Sequence, residues 1–154
     1  MLLKVAAEGK RWLVDAGVGG EGPGYPLPLE EGEWTDWTGV THRLSTEGPI
    51  WVLSSQKPDG SWSDLYAFDE RVHLPADYLM YNHFTSTFPS SLFVQSMLVS
   101  LHTADGQVLL FDGSLRRRVG RTTTERQLDN RAEVLQSLRE DFGIDPPDLV
   151  VCPL

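Results

Sequence analysis

The sequence predicts an α+β fold, with antiparallel strands first and a mixed α/β lobe with a C-terminal helix after them. Short apolar segments separated by turn residues fill the first half, helix-start residues appear in the middle, and helical spacing of apolar residues appears near the C-terminus. At 154 residues the chain is long enough for about one domain with a buried core. We expect a β-barrel-like domain over residues 1–73 and an α/β lobe over 74–154, packed as one compact unit.

The first half has the pattern of a strand series. Residues 2–5 and 11–15 are apolar segments around the turn Glu8-Gly9-Lys10, which predicts a hairpin. Further strands are predicted at 40–44, 50–55 and, after a turn over 57–61, at 62–68. This arrangement is typical of an antiparallel barrel or sandwich.

The second lobe begins with a predicted helix over 74–82. Pro75 is tolerated in a first turn, and Asp77 suits the positive end of the helix dipole. A long strand over 92–103 follows, and turns at 104–106 and 112–113 then predict a three-stranded meander through 107–111 and 115–119.

Helical spacing of Leu135, Leu138 and Phe142 predicts the terminal helix. Either Asp129 or Asn130 can cap its start. Gly143 stands where a left-handed C-terminal cap belongs.

Charge and cysteine content exclude several classes of function. Thirteen Lys and Arg against 22 Asp and Glu give a net charge of −9, which disfavours nucleic-acid and anionic-membrane partners because phosphates would be repelled. No apolar run approaches the roughly 20 residues of a membrane span, and no signal-peptide pattern opens the chain. The single cysteine, Cys152, forms no internal disulfide, so we expect a cytoplasmic location.

Asp15 is the first candidate functional residue, because an apolar strand ends there and opens into glycines. Its carboxylate either accepts hydrogen bonds from N–H groups of its own turn or serves as the third member of a nucleophile, histidine and carboxylate set. Residues 17–22 also satisfy the dinucleotide pattern G-x-G-x-x-G, but Pro23 forbids the helix that this pattern requires.

Residues that could act with Asp15 are not evident in the sequence. Cys152 is interpreted as a thiol of the tail, and each histidine as an ordinary surface or packed residue: His42, His73, His83 and His102. Motifs of serine hydrolases, zinc proteases and P-loop proteins are absent from the sequence, and no metal site is predicted.

Four segments together resemble a known family. Residues 12–20 with the trailing Pro-Leu-Pro-Leu resemble the aspartate loop of the arylamine N-acetyltransferases, usually V-D-V-G-F-G-G before a P-L segment. Residues 82–93 resemble the family's N-x-Y-x-S-T-H-P-x-S-x-F, and segments 65–68 and 142–144 match in the same order. The resemblance spans nearly the whole chain.

The resemblance implies acetyl-CoA-dependent N-acetylation of an arylamine, arylhydrazine or N-hydroxyarylamine. In the family a cysteine carries the acetyl group as a thioester, a histidine activates the thiol and an aspartate orients the histidine. Asp15 takes the aspartate's role, whereas the family's cysteine and histidine lie upstream of the position that Met1 occupies. We therefore expect a truncated chain that lacks the N-terminal helical domain and is inactive alone.

Further site residues follow from the same resemblance. Those expected near coenzyme A are Thr87, Ser90 and Ser91, and those expected near the acceptor are Gly17, Val18, Gly19 and Phe93. Val18 replaces the family's usual Phe, and Phe88 replaces its usual His. The hydroxyl groups equally fit capping and turn chemistry around Pro89. The arginines at 116–118 and 121 fit either CoA phosphates or a solvated strand edge.

Two other functions remain open at this point. The chain could be a non-catalytic CoA- or aromatic-binding remnant, or part of an amide synthase that releases a polyketide with the same triad. Without a helical domain, strand faces bearing Leu2, Val5, Trp12 and Leu13 should be exposed. We expect an N-terminal segment or a homo-oligomer to cover them.

Overall fold

A computed structural model describes residues 2–145 except 16, 21, 38 and 121. The helices of that part of the chain are α1 (Pro75–Thr87), α2 (Leu92–Gln95) and α3 (Arg131–Phe142). Its strands are β1 (Leu2–Ala7), β2 (Lys10–Asp15), β3 (Leu27–Pro28), β4 (Gly32–Thr35), β5 (Thr41–Glu47), β6 (Ile50–Gln56), β7 (Trp62–Phe68), β8 (Leu98–Thr103), β9 (Gly106–Phe111), β10 (Ser114–Val119) and β11 (Thr122–Gln127). None of these helices is both long and apolar enough to cross a membrane.

The α+β class with antiparallel sheets is confirmed, and the described strands do not close into a barrel. They make three open sheets, ordered β1-β2-β3, β4-β5-β6-β7 and β11-β10-β9-β8. The proline-rich segment between β2 and β4 contributes only the two residues of β3, because a proline cannot donate to a strand ladder. A strand this short is a poor link for closing the first two sheets into a barrel.

The chain divides into two compact units. The first comprises Met1–Arg71, Ala104–Gly106 and Val119–Arg121, and the second comprises Val72–Thr103, Gln107–Arg118 and Thr122–Leu154. The assignment of residues 1–73 and 74–154 to two functional domains stays a prediction.

The strands of the first unit largely follow the sequence expectation. The β1–β2 hairpin turns through Glu8 and Gly9, which both have positive φ (53° and 72°) as a type I′ turn requires. The strand predicted at 62–68 is present as β7 with the same bounds. β6 ends one residue later than predicted, and β5 begins one residue later and ends three residues later.

Leucines from four strands build most of the core of the first unit. The fully buried ones are Leu13 on β2, Leu27 on β3, Leu44 on β5 and Leu53 on β6. The expectation that Leu13 lies on an exposed strand face is therefore wrong, since it is only 2% exposed.

Two expectations fail in the second unit. Residues 92–95 form α2 rather than the start of a strand, and β8 begins only at Leu98. The predicted three-stranded meander also has a fourth strand, β11. All six residues of β11 are exposed, and the strand therefore lacks the alternation of apolar and polar residues that would predict it from the sequence.

The terminal helix packs on the third sheet through Leu138 and Phe142 of the predicted stripe, whereas Leu135 is half-buried outside the cluster and Val134 is buried in its place. Val134 and Leu138 of α3 join a buried cluster with Val108, Leu110 and Leu128. Of the two predicted caps, Asn130 is the N-cap, and its side chain accepts a hydrogen bond from Glu133 N. Gly143 ends the helix in the left-handed conformation, at φ 66°.

Candidate active site

Asp15 closes β2 and uses one carboxylate oxygen to shape the loop that follows. Its Oδ1 accepts hydrogen bonds from Gly17 N at 2.9 Å and from Val18 N at 3.2 Å. The turn role predicted for Asp15 is thus present, and it brings together Asp15, Gly17 and Val18 of the predicted site.

The second carboxylate oxygen of Asp15, Oδ2, is in a different environment. Oδ2 is buried and has no hydrogen-bond partner among the described residues. A buried acceptor left without a donor costs about 1–3 kcal/mol, more for a charged group. Oδ2 is therefore the atom of this loop that is best placed to accept a hydrogen bond from a further group.

Tyr66 lies close to Asp15, and the sequence alone gives it no role. Burial, with the charge of Asp15 adding to it, raises the pKa of the Tyr66 phenol well above its usual range. The phenol oxygen is itself buried without a hydrogen-bond partner among the described residues. The phenol is therefore a neutral donor near the Asp15 carboxylate.

A β-bulge explains how Tyr66 comes to face the core side of its sheet. The β6–β7 register pairs Leu53 with Tyr66 but Ser54 with Asp64, so Leu65 is an extra residue. Leu65 and Tyr66, although adjacent in sequence, both pack against the leucine core. Bulges commonly redirect side chains beside functional sites. This redirection arises from strand pairing, which local sequence does not indicate. In the sequence, Tyr66 is therefore indicated only by segment 65–68, which resembles the corresponding segment of the family.

The glycines after Asp15 allow the loop to fold back on itself. A Cβ at Gly22 would lie 2.7 Å from Val18 O and 2.8 Å from Val18 Cγ1, so this position requires glycine. Gly17 is exposed, whereas Val18 and Gly19 are half-buried. No described residue from 17 to 26 is helical, which agrees with the rejection of a dinucleotide fingerprint.

The residues predicted to bind coenzyme A lie on one segment of the second unit. Thr87 Oγ1 donates to His83 O at 2.6 Å, and buried Ser91 donates through Oγ to Thr85 O at 2.7 Å. Ser90 is exposed before α2, and Phe93 on α2 is 66% exposed. Capping and turn bonds therefore occupy two of the three hydroxyls, and coenzyme A binding by them stays a prediction.

The arginines considered for CoA phosphates make contacts within their own unit. Arg117 pairs with Asp141 at 2.6 Å, and Arg116 lies 3.5 Å from Glu125. Arg118 donates to Gln107 at 3.4 Å. Arg121, like Cys152, is outside the described residues.

The histidines do not complete a catalytic set with Asp15 in the described part of the chain. Asp15 has no hydrogen bond or ion pair to a histidine there. His42 is buried in β5, edge-on to Tyr25 at 6.4 Å between ring centroids, and His73 and His83 are exposed. Within the same residues, no cluster of His, Cys, Asp or Glu could hold a metal ion.

Comparison with known proteins agrees with the resemblance seen in the sequence. The N-acetyltransferase family model matches residues 1–148. The arylamine N-acetyltransferase of Mycolicibacterium smegmatis is 32% identical over 150 residues, 96% of this chain and 54% of that enzyme. An arylamine N-acetyltransferase / N-hydroxyarylamine O-acetyltransferase of Salmonella typhimurium is 27% identical over 96% of this chain and 53% of its own length.

Solved structures share the fold as well. The Mycobacterium marinum arylamine N-acetyltransferase in complex with CoA has a TM-score of 0.86 and 29% identity, covering 94% of this chain and 54% of that one. The chain spans about half the length of the curated relatives it matches. With the family model matching almost from end to end, the chain belongs to the arylamine N-acetyltransferase family.

Proposed function

We propose that this chain contributes the orienting aspartate to an acetyl-CoA-dependent N-acetyltransferase that acts on arylamines or arylhydrazines. A cysteine thiolate takes the acetyl group from acetyl-CoA as a thioester, coenzyme A leaves as the thiol, and the amine then displaces the cysteine to form an amide. Asp15 is the member of this Cys-His-Asp set that the chain supplies. The chain alone is inactive.

The proposal rests on the different environments of the two carboxylate oxygens of Asp15. Oδ1 holds the loop through Gly17 and Val18, while Oδ2 is buried with no hydrogen-bond partner among the described residues. A carboxylate fixed in this way can accept an imidazole N–H, select the histidine's tautomer and stabilise its charged form. Tyr66 supports the geometry, because a neutral phenol beside Asp15 adds no competing charge.

The substrates are assigned by the same proposal. Acetyl-CoA is the cosubstrate and no metal is required. Thr87, Ser90 and Ser91 contact coenzyme A, and Gly17, Val18, Gly19 and Phe93 border the aromatic acceptor. Exposed Phe93 supports the assignment because an aromatic amine can pack against its ring. A cytoplasmic location fits a chemistry that needs a reduced thiol.

Reconstitution tests the proposal. The chain is expressed with and without an N-terminal segment that carries the cysteine and histidine of the M. smegmatis relative, and acetylation of an aminobenzoate by acetyl-CoA is followed by chromatography. We expect turnover only in the reconstituted protein. Robust turnover by the chain alone, abolished by Cys152→Ala, would assign the nucleophile differently. Coenzyme A binding without turnover by a folded reconstituted protein would identify a binding remnant.

The Asp15→Asn variant of the reconstituted protein tests the role of Asp15 most directly. The amide oxygen can still accept from Gly17 N and Val18 N, so the loop is kept, while the amide nitrogen at the Oδ2 position cannot accept an imidazole N–H. We expect kcat/KM to fall by about 10³-fold or more with little change in KM, as carboxylate-to-amide changes in such triads do. Unchanged kcat/KM in a folded Asp15→Asn protein would refute the role of Asp15.

A further inference from the structure

Gly22 lies against the residue whose backbone binds Asp15. A Cβ added at Gly22 would stand 2.7 Å from Val18 O, 2.8 Å from Val18 Cγ1 and 3.1 Å from Val18 Cβ. The N–H of the same Val18 donates to Asp15 Oδ1 at 3.2 Å. The loop after β2 therefore folds back on itself, and the absence of a side chain at Gly22 allows Val18 to stand where it binds the carboxylate.

Gly22 is held more firmly than Val18 in this contact. Gly22 and Pro23 are both buried, and the proline ring fixes the backbone angle φ of residue 23. Four residues further on, fully buried Leu27 pairs with Leu13 of β2. Val18, in contrast, is only half-buried. A side chain at residue 22 would therefore displace Val18 rather than Gly22.

The hydrogen bond from Val18 is the longer of the two that Asp15 Oδ1 accepts. Its length of 3.2 Å is at the upper limit for an N–H···O bond, whereas the bond from Gly17 N is 2.9 Å. A small shift of Val18 away from Asp15 would break the longer bond and leave Oδ1 with Gly17 N. The carboxylate could then rotate about its Cβ–Cγ bond, where the torsional preference is broad. Oδ2 would no longer have a fixed direction.

We propose that Gly22 is a positioning residue for Asp15, because its lack of a side chain lets Val18 hold the carboxylate with Oδ2 directed at the histidine. This inference rests on the proposed function, since it concerns the carboxylate that orients the histidine there. It adds that the rate of acetyl transfer depends on a residue that touches neither the substrates nor the reacting atoms. Misplacing a group of the site by about 1 Å lowers a rate by about 10²-fold.

Amide hydrogen exchange of the chain alone, resolved by NMR, tests the contact without requiring activity. In Gly22→Ala the Val18 N–H should exchange roughly two- to tenfold faster, as expected for the loss of one hydrogen bond. Gly48→Ala is the matched control. Gly48 has a φ of +61° and a Cβ there meets nothing within 4 Å, so this variant strains the backbone without touching Val18. Exchange of Val18 N–H, which needs only local opening of the loop, should be unchanged in Gly48→Ala.

Kinetics of the reconstituted protein test the positioning role. Gly22→Ala should lower kcat by about 10- to 100-fold with little change in the KM for acetyl-CoA, because a misdirected carboxylate affects the chemical step. In an Asp15→Asn background, Gly22→Ala should cause no further loss of kcat, since the carboxylate that Gly22 positions is already removed. Gly48→Ala should keep the wild-type kcat.

Two results would overturn the proposal: unchanged Val18 N–H exchange in a folded Gly22→Ala protein, or an equal loss of kcat from Gly22→Ala with and without Asp15→Asn. A wild-type reconstituted protein without turnover would instead refute the proposed function, while the exchange result would still decide whether Gly22 keeps Val18 on Asp15. If Gly22→Ala alone does not fold, both measurements are made in a Val18→Ala background. The Cγ1 contact is absent there, the contact with Val18 O remains, and the same outcomes apply.

Discussion

Asp15 holds the loop that follows β2 and, in the proposed function, also orients the histidine. The two N–H groups of Gly17 and Val18 occupy Oδ1 and fix the direction of the carboxylate. The remaining oxygen then points in a defined direction without needing a partner to hold it. Preorganisation of this kind is what a histidine-orienting carboxylate requires.

Tyr66 makes the stability of the chain sensitive to alkaline pH. Its pKa in the folded state is raised above the unfolded value of about 10, so the stabilisation of its neutral form is complete below pH 10 and decreases as the pH rises further. The free energy of unfolding in urea should therefore fall as the pH rises from about 9.5 to about 11. Tyr66→Phe should remove part of this fall.

Tyr25 provides the comparison. Burial and then the charge of Asp36 raise the pKa of Tyr25 to about 12, so both phenols are mostly neutral in the folded state over this pH range and Tyr25→Phe should remove a similar share of the fall. A Tyr66→Phe protein with the wild-type pH dependence would show that the pKa of Tyr66 is not raised in the folded state.

Gly22 is predicted to be intolerant of even a methyl group. Gly22→Ala should lower the free energy of unfolding by about 1–3 kcal/mol, since its Cβ would collide with the backbone and side chain of Val18. Val18→Ala removes one of the two colliding groups. In a double-mutant cycle measured by urea unfolding, the combined variant should lose less stability than the sum of the single ones. Strict additivity would show that the loop relaxes away from Val18.

At the scale of elements, the sequence predicts structure well where local residues decide it. Asn130 and Gly143 mark the ends of α3 because capping is a short-range interaction. Residues 92–95 were misassigned because a short apolar run is compatible with either a helix or a strand. Similarly, Asp15 can be identified from the sequence because an apolar strand ends there and opens into glycines. Tyr66 cannot be identified in this way, because a bulge in the β6–β7 pairing places it near Asp15.

Glu70 joins elements of the first and second sheets. It accepts hydrogen bonds from Lys4 at 2.7 Å, Arg11 at 2.9 Å and the indole of Trp51 at 3.2 Å, which together lower its pKa. Glu70→Gln should cost about 1 kcal/mol, the usual range of partly exposed ion pairs. Because the folded pKa lies below the unfolded one, this contribution is present above the unfolded pKa and is lost as the pH falls through the folded value.

Glu33→Gln, at an exposed position of β4, is the matched control for that measurement. Urea unfolding at pH 7 should separate the two variants, and the difference should shrink toward pH 3. Equal losses for Glu33→Gln and Glu70→Gln would mean that the Glu70 contacts add no stability.

At the scale of the whole molecule, apolar exposure is concentrated on the helices of the second unit as well as on β1. No residue of α1 is buried, and Met80 and Tyr81 are 67% and 62% exposed. Phe84, 52% exposed, stacks only on Phe88 among the ring contacts of the described residues, at 4.7 Å. Contiguous apolar surfaces of this kind promote association and lower solubility.

Met80→Glu should therefore raise solubility without affecting folding. Methionine and glutamate have similar helix propensities, and an exposed position away from buried contacts changes stability by about 0.5 kcal/mol or less. We expect a higher precipitation midpoint in ammonium sulfate and weaker binding of a hydrophobic dye, with an unchanged urea midpoint. Val134→Glu, at a fully buried position of α3, should instead unfold the second unit. A stability loss above about 1 kcal/mol for Met80→Glu would show that this face of α1 is packed in solution, because only a buried methionine makes enough contacts to lose that much.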